Sequence, residues 1–245
     1  MLHTNIHKAT CIGILRSFFS DTLLRTTLGF KGGTAAYLFY SLPRFSVDLD
    51  FDLLNEEKKQ QVFKKLPKLL SPYGTVIECI EKKYTLFSLI SYKKGEHAIK
   101  VEISKRPIHS TYSIQTYLGI SMNIIQKTDM AANKIAALLT RKHFAARDMF
   151  DVWYFLHEGW DINNELLQKQ TGFSIEEALL KAENIVQNIK KNELLSGLGE
   201  LLYDEKQKAF VREKLKDDLI FLLRLVRDQA NQNQPNKQRT KKIHN

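Results

Sequence analysis

Seven consecutive residues, Val47-Asp48-Leu49-Asp50-Phe51-Asp52-Leu53, alternate strictly between apolar and acidic side chains. A period of two belongs to a β-strand, because successive side chains point to opposite faces of a sheet. Ser46, Asp48, Asp50 and Asp52 then share one face, and Val47, Leu49, Phe51 and Leu53 the other. The apolar face requires a core to pack on. The acidic face sets like charges in a row, which is unfavourable unless a cation relieves it. Mg2+ takes oxygen ligands, usually one or two carboxylates completed by substrate phosphates. A solvated acidic edge strand is the plainer alternative.

The residues upstream favour the metal. Gly32-Gly33-Thr34 follows Lys31 and opens a short apolar helix, read over Thr34 to Ser41 and ended by Pro43. Adjacent glycines let backbone N–H groups approach an anion, and a helix N-terminus presents its positive end there. A phosphate cradle, a short helix, Arg44 and a paired-carboxylate strand together supply the parts of two-metal phosphoryl or nucleotidyl transfer.

The remaining pattern divides the chain. Helical spacing runs over 8–28 and again over 56–70, and 29–33 reads as a break between helices. Three strand-like runs follow at 75–80, 85–92 and 98–104, the last two joined through a turn at Lys93-Lys94-Gly95-Glu96. Residues 108–125 are read as a further strand or a connection. From Thr128, taken as an N-cap, the chain reads as helix over 129–142, 145–157, 174–190 and 205–228. The expectation is an α+β fold. It has a mixed sheet flanked by helices over 1–125, a helical bundle over 126–230 that contributes to the active-site cleft, and a basic, flexible tail over 231–245.

Composition bears on partners and excludes some chemistries. Lys and Arg number 37 against 27 Asp and Glu, a formal net charge of +10 that favours polyanions. Four of those charges, Lys237, Arg239, Lys241 and Lys242, lie in the tail. No apolar run approaches the roughly 18–20 residues of a membrane span, and the start lacks the pattern of a signal peptide, so a cytoplasmic protein is expected. The two cysteines, Cys11 and Cys79, form no C-x-x-C pair. H-E-x-x-H, G-x-S-x-G and P-loop patterns are absent as well, so zinc chemistry, a serine nucleophile and an ATPase loop are not expected.

Lys31-Gly32-Gly33-Thr34 followed by Arg44-Phe45-Ser46-x-Asp48-Leu49-Asp50-Phe51 resembles the first motif of the AbiEii/AbiGii toxin family. These are nucleotidyltransferase-like proteins of the polymerase-beta superfamily, with the MenT-type toxins among them. Ile99-Lys100-Val101-Glu102-Ile103 is similar to the family's lysine-and-glutamate strand. Asp129-Met130-Ala131-Ala132-Asn133-Lys134 resembles its helical Asp…Lys motif, and Arg147-Asp148-Met149-Phe150-Asp151 its closing motif.

The resemblance implies that Asp48 and Asp50 hold Mg2+ or Mn2+, with Glu102 as third carboxylate or general base and Lys134 and Asp148 acting on the nucleotide. Lys31, Gly32, Gly33, Thr34, Arg44, Ser46 and Lys100 are the candidate nucleotide- and phosphate-binding residues. Glu78, on a neighbouring strand, is a competitor for the role of Glu102. The implied substrate is an NTP; the basic charge makes an RNA hydroxyl the leading acceptor, with a tRNA 3′ end favoured, and a protein hydroxyl the next. An antitoxin protein is the implied partner, and no membrane is involved. A non-catalytic protein that keeps the pocket to bind NTP or RNA is the alternative.

Overall fold

The structure is a computed structural model that describes residues 3–107 and 109–232. The charged end of the basic tail therefore lies outside the described residues. The described residues divide into two compact units: one runs to Gln126 and also takes in Glu200–Tyr203, and the other holds Lys127–Gly199 and the described residues from Asp204 on.

The first unit opens with α1 (Thr4–Ser20) and α2 (Thr22–Thr27). They are separate helices because Asp21 is extended and accepts hydrogen bonds from the N–H groups of Leu23 and Leu24, capping α2. β1 (Leu28–Lys31), α3 (Gly32–Phe39), β2 (Leu49–Leu53) and α4 (Lys59–Leu70) follow, then β3 (Thr75–Glu81), β4 (Thr85–Ser91), β5 (Ile99–Ser104), β6 (Tyr112–Tyr117) and β7 (Ile120–Ile125). The strands form one sheet in the order β3-β4-β5-β2-β1-β7-β6. It is mixed: β2 runs antiparallel to β1 and parallel to β5. Leu49 and Phe51 are fully buried, and the Phe51 ring lies 5.6 Å from Phe18 of α1 and 5.2 Å from Phe30 of β1. The apolar face of the alternating segment therefore anchors the centre of the sheet, as its pattern requires.

The second unit is helical: α5 (Lys127–Thr140), α6 (Ala146–His157), α7 (Asn164–Thr171), α8 (Ile175–Asn188), α9 (Glu205–Glu213) and α10 (Leu215–Gln232). Ser174 and Glu177 form a capping box at the start of α8. Glu183 of α8 accepts hydrogen bonds from Arg224 and Arg227 of α10, both at 2.7 Å. The expected α+β class, with a mixed sheet followed by helices, is the observed one.

Several elements differ from the sequence reading. Residues 28–31, read as the last residue of a helix and the start of a break, form a central strand of the sheet. The helix expected over 205–228 is two, parted at Lys214. α5 begins at Lys127, so Thr128 lies within its first turn instead of capping it. Among the described residues, no helix is long and apolar enough to cross a membrane.

Candidate active site

Asp50 lies in β2 between two informative neighbours. On one side it pairs in register with Lys31 of β1, and on the other with Glu102 of β5. Partners in register on parallel strands project to the same face, so Asp50 and Glu102 form a carboxylate pair from residues 52 positions apart in the chain. Glu78 is on β3, separated from β2 by β4 and β5. At roughly 4.8 Å per strand it stands about 14 Å away, so Glu102 is the glutamate beside Asp50.

The two glycines explain how the turn meets these carboxylates. Gly32 has φ +79°, a left-handed conformation that favours glycine, and a Cβ there would stand 2.9 Å from Asp50 Cβ. A Cβ on Gly33 would stand 2.8 Å from both Arg44 Nη2 and Ser46 Oγ. The glycines thus admit Asp50, Arg44 and Ser46 to the start of α3. Thr34 continues the arrangement, its hydroxyl donating to Ser46 Oγ at 2.9 Å and to the Asp48 carbonyl. Arg44 is buried and donates from Nη1 to the Phe45 carbonyl at 2.9 Å.

Asp52 corrects the expectation of three carboxylates in need of a cation. It is only 7% exposed, Lys31 Nζ donates to its Oδ1 at 2.6 Å, and the Tyr112 hydroxyl donates to its Oδ2. The protein itself neutralises Asp52. Asp50 and Glu102 remain as carboxylate neighbours in register on this face, and Lys31, expected at a phosphate, is engaged with Asp52. Asp48 precedes β2, which begins at Leu49. Lys100 is exposed, one residue before the register of β5 with β2 begins.

His7 is a residue the sequence reading passed over. It is fully buried in α1 and holds the backbone next to Asp48. The Val47 carbonyl, 2.9 Å from Nε2, can only accept, so Nε2 carries the proton; Nδ1, at 3.0 Å, accepts from the Tyr92 hydroxyl. Burial pushes the imidazole below its ordinary value, opposed by the bond to Val47 and the nearby Asp48. His3 and His7 stand four apart on the chain, a spacing that can hold a metal, but both His7 nitrogens are already engaged.

Lys134 and Asp148 lie in the helical unit, where they meet each other. Lys134 Nζ is 2.9 Å from Asp148 Oδ1 and 2.7 Å from Asp151 Oδ2. Both carboxylates are buried, which rules out a solvated Asp148. Arg141 Nε stands 2.8 Å from Asp148 Oδ2 as an ion pair, without the alignment of a hydrogen bond. Asp129 is buried too and accepts from Asn163 Nδ2 at 2.7 Å.

Among the described residues, no three His, Cys, Asp or Glu side chains are grouped as a metal-holding set. The donors of the first unit nonetheless suit Mg2+, which takes hard oxygens and leaves part of its shell to water and phosphates. Asp50 stands against the start of α3, where backbone N–H groups are available to an anion.

A family model described as nucleotidyl transferase AbiEii toxin, type IV toxin–antitoxin system, matches residues 13–219. Two solved structures from Helicobacter pylori share the fold. JHP933 is 20% identical at a TM-score of 0.60, covering 95% of this chain and 96% of its own. A protein described as a candidate nucleotidyltransferase is 20% identical at 0.61, covering 96% and 99%. No curated protein matches the sequence.

Proposed function

The chain belongs to the AbiEii family of nucleotidyl transferase toxins, and from that premise we propose that it moves a nucleotide from an NTP to an acceptor hydroxyl, with pyrophosphate leaving. The observation that carries this reading is the register of Asp50 beside Glu102, with Gly32 pressed against Asp50 at the start of α3. A carboxylate pair whose Asp50 lies against the first residue of a helix supports this reading, since transfer from a triphosphate uses carboxylates and a helix N-terminus together.

Asp48 and Asp50 would hold Mg2+ or Mn2+, which when bound offsets the charge of the triphosphate and of the developing oxyanions. Glu102 accepts the proton of the attacking hydroxyl as it closes on the α-phosphorus. The N–H groups that open α3 receive phosphate oxygens, and Thr34 fixes the Ser46–Asp48 loop against that helix. Lys31 acts indirectly, by keeping Asp52 neutralised beneath the pair. Lys134 and Asp148 carry the family's later motifs and are paired with each other within the helical unit. Net charge of +10 supports a polyanionic acceptor, RNA, with a tRNA 3′ end as the first candidate. The family also supports an antitoxin protein as partner.

The test is incubation with total RNA and each α-labelled NTP in turn, with Mg2+ or with chelator. Label entering RNA only with metal supports the reading and names the base. NTP binding without label in RNA or protein replaces it with a non-catalytic nucleotide-binding role.

A further inference from the structure

The hairpin turn between β3 and β4 and the adjoining end of β5 gather cations around an exposed aromatic ring. The turn closes through Lys82 N–H to the Thr85 carbonyl, and Lys105 N–H donates to the Tyr84 carbonyl, both at 2.8 Å. Residues 82–84 and 105–106 therefore form one tip. Glu81, the carboxylate at its base, already receives Lys105 at 2.7 Å, Lys59 at 2.9 Å and Gln60 at 3.1 Å. The hydrogen bonds from Lys105 and Lys59 draw the Glu81 carboxyl down to about 2.

The other cations of the tip are held differently. Lys82 Nζ lies 3.4 Å from the Phe87 ring centroid, Lys83 Nζ 5.0 Å from that of Tyr84, and Arg106 Cζ 5.1 Å from the same ring. Among the described residues, none of these three is paired with a carboxylate. An aromatic face orients a cation without neutralising it, so the positive field remains available to an incoming anion. Lys82, Lys83, Tyr84 and Arg106 are all exposed, Tyr84 at 49%. Arg106 lies two residues past the end of β5, the strand that carries Glu102.

Building on the polynucleotide acceptor of the proposed function, we propose that the Lys82–Lys83–Tyr84–Arg106 tip is a binding surface for single-stranded RNA. The cations meet successive phosphates, and Tyr84 with the Arg106 guanidinium offers a stacking platform for a base. An acidic protein segment would use the charges but not the ring, and a duplex offers no free base to stack.

The test is anisotropy of a labelled single-stranded oligoribonucleotide titrated across salt. It compares the full chain, a Lys82→Ala/Lys83→Ala/Arg106→Ala variant and Tyr84→Ala. Loss of three phosphate contacts should lower the slope of log affinity against log salt by about 2 and weaken binding about tenfold or more at low salt. Tyr84→Ala should weaken binding about tenfold with the slope unchanged. Unchanged melting temperature and Mn2+·NTP binding show that both variants are folded. Wild-type affinity and slope in both variants overturn the proposal, as does equal competition by duplex RNA or an acidic peptide. Strand binding that depends on the tip without nucleotide incorporation removes the transferase reading and leaves the surface standing. Incorporation with tip-independent binding does the reverse.

Discussion

The site is set by single atoms at its glycines. Gly32→Ala forces a left-handed residue to carry a Cβ that strikes Asp50, so a stability loss of at least about 1–2 kcal/mol is expected. Nucleotide transfer should fall more steeply than stability, because Asp50 is the group displaced; thermal melting and initial rates measured together check this. His7 gives a pH signature. Burial lowers its folded-state pKa below the unfolded value near 6.5, so the unfolded chain binds the proton more readily. The stability that depends on neutral His7 is full above about pH 6.5 and is lost as pH falls through the lowered folded value. His7→Gln keeps an N–H donor without titrating, and its melting temperature should fall less than that of the wild type between pH 7.5 and 5.5. Parallel curves would contradict the neutral assignment. Neither His7 nor Tyr112 was legible in the sequence. His7 lies 40 residues from Val47 and Tyr112 lies 60 from Asp52, and no local period marks either pairing.

Among elements, legibility followed periodicity. The alternating segment declared β2, and the runs that became β3, β4 and β5 were bounded to within a residue or two, because β-branched and apolar residues between turn residues mark strands even where, as in β3, no residue is fully buried. β1 left almost none: it is four residues long, contains Gly29, and runs straight into a glycine pair that resembles a turn. It was nevertheless the strand that sets Lys31 beside Asp50 in register. Asp52 shows the opposite failure, since a true pattern suggested a metal where Lys31 and Tyr112 supply the partners. Two substitutions test the elements. Phe51→Ala should cost about 3–5 kcal/mol, since the ring packs against α1 and β1 alike. Glu183→Gln should cost about 1–2 kcal/mol, the solvent exposure of Arg224 moderating the loss of the α8–α10 pairing. Denaturant titration measures both.

For the molecule as a whole, the chain encodes a mixed-sheet unit and a helical unit, and a four-residue segment, Glu200–Tyr203, leaves the second to pack with the first. There the Leu201 carbonyl accepts from the Phe45 N–H at 2.7 Å, one residue past Arg44 in the loop that leads to Asp48. Nothing in the sequence announced that return. The overall class was readable because a period of two gives way to helical spacing near residue 125, and the AbiEii resemblance supplied Glu102, which no local pattern singles out. The proposed chemical centre is the Asp50–Glu102 pair. The most direct measurement is the rate of α-labelled nucleotide transfer by wild type, Asp50→Asn and Glu78→Gln under one set of Mg2+ conditions. Loss of about a thousandfold or more in Asp50→Asn, with Glu78→Gln near the wild-type rate, is the predicted result. Transfer that survives Asp50→Asn, or that falls equally in Glu78→Gln, would place the chemistry elsewhere.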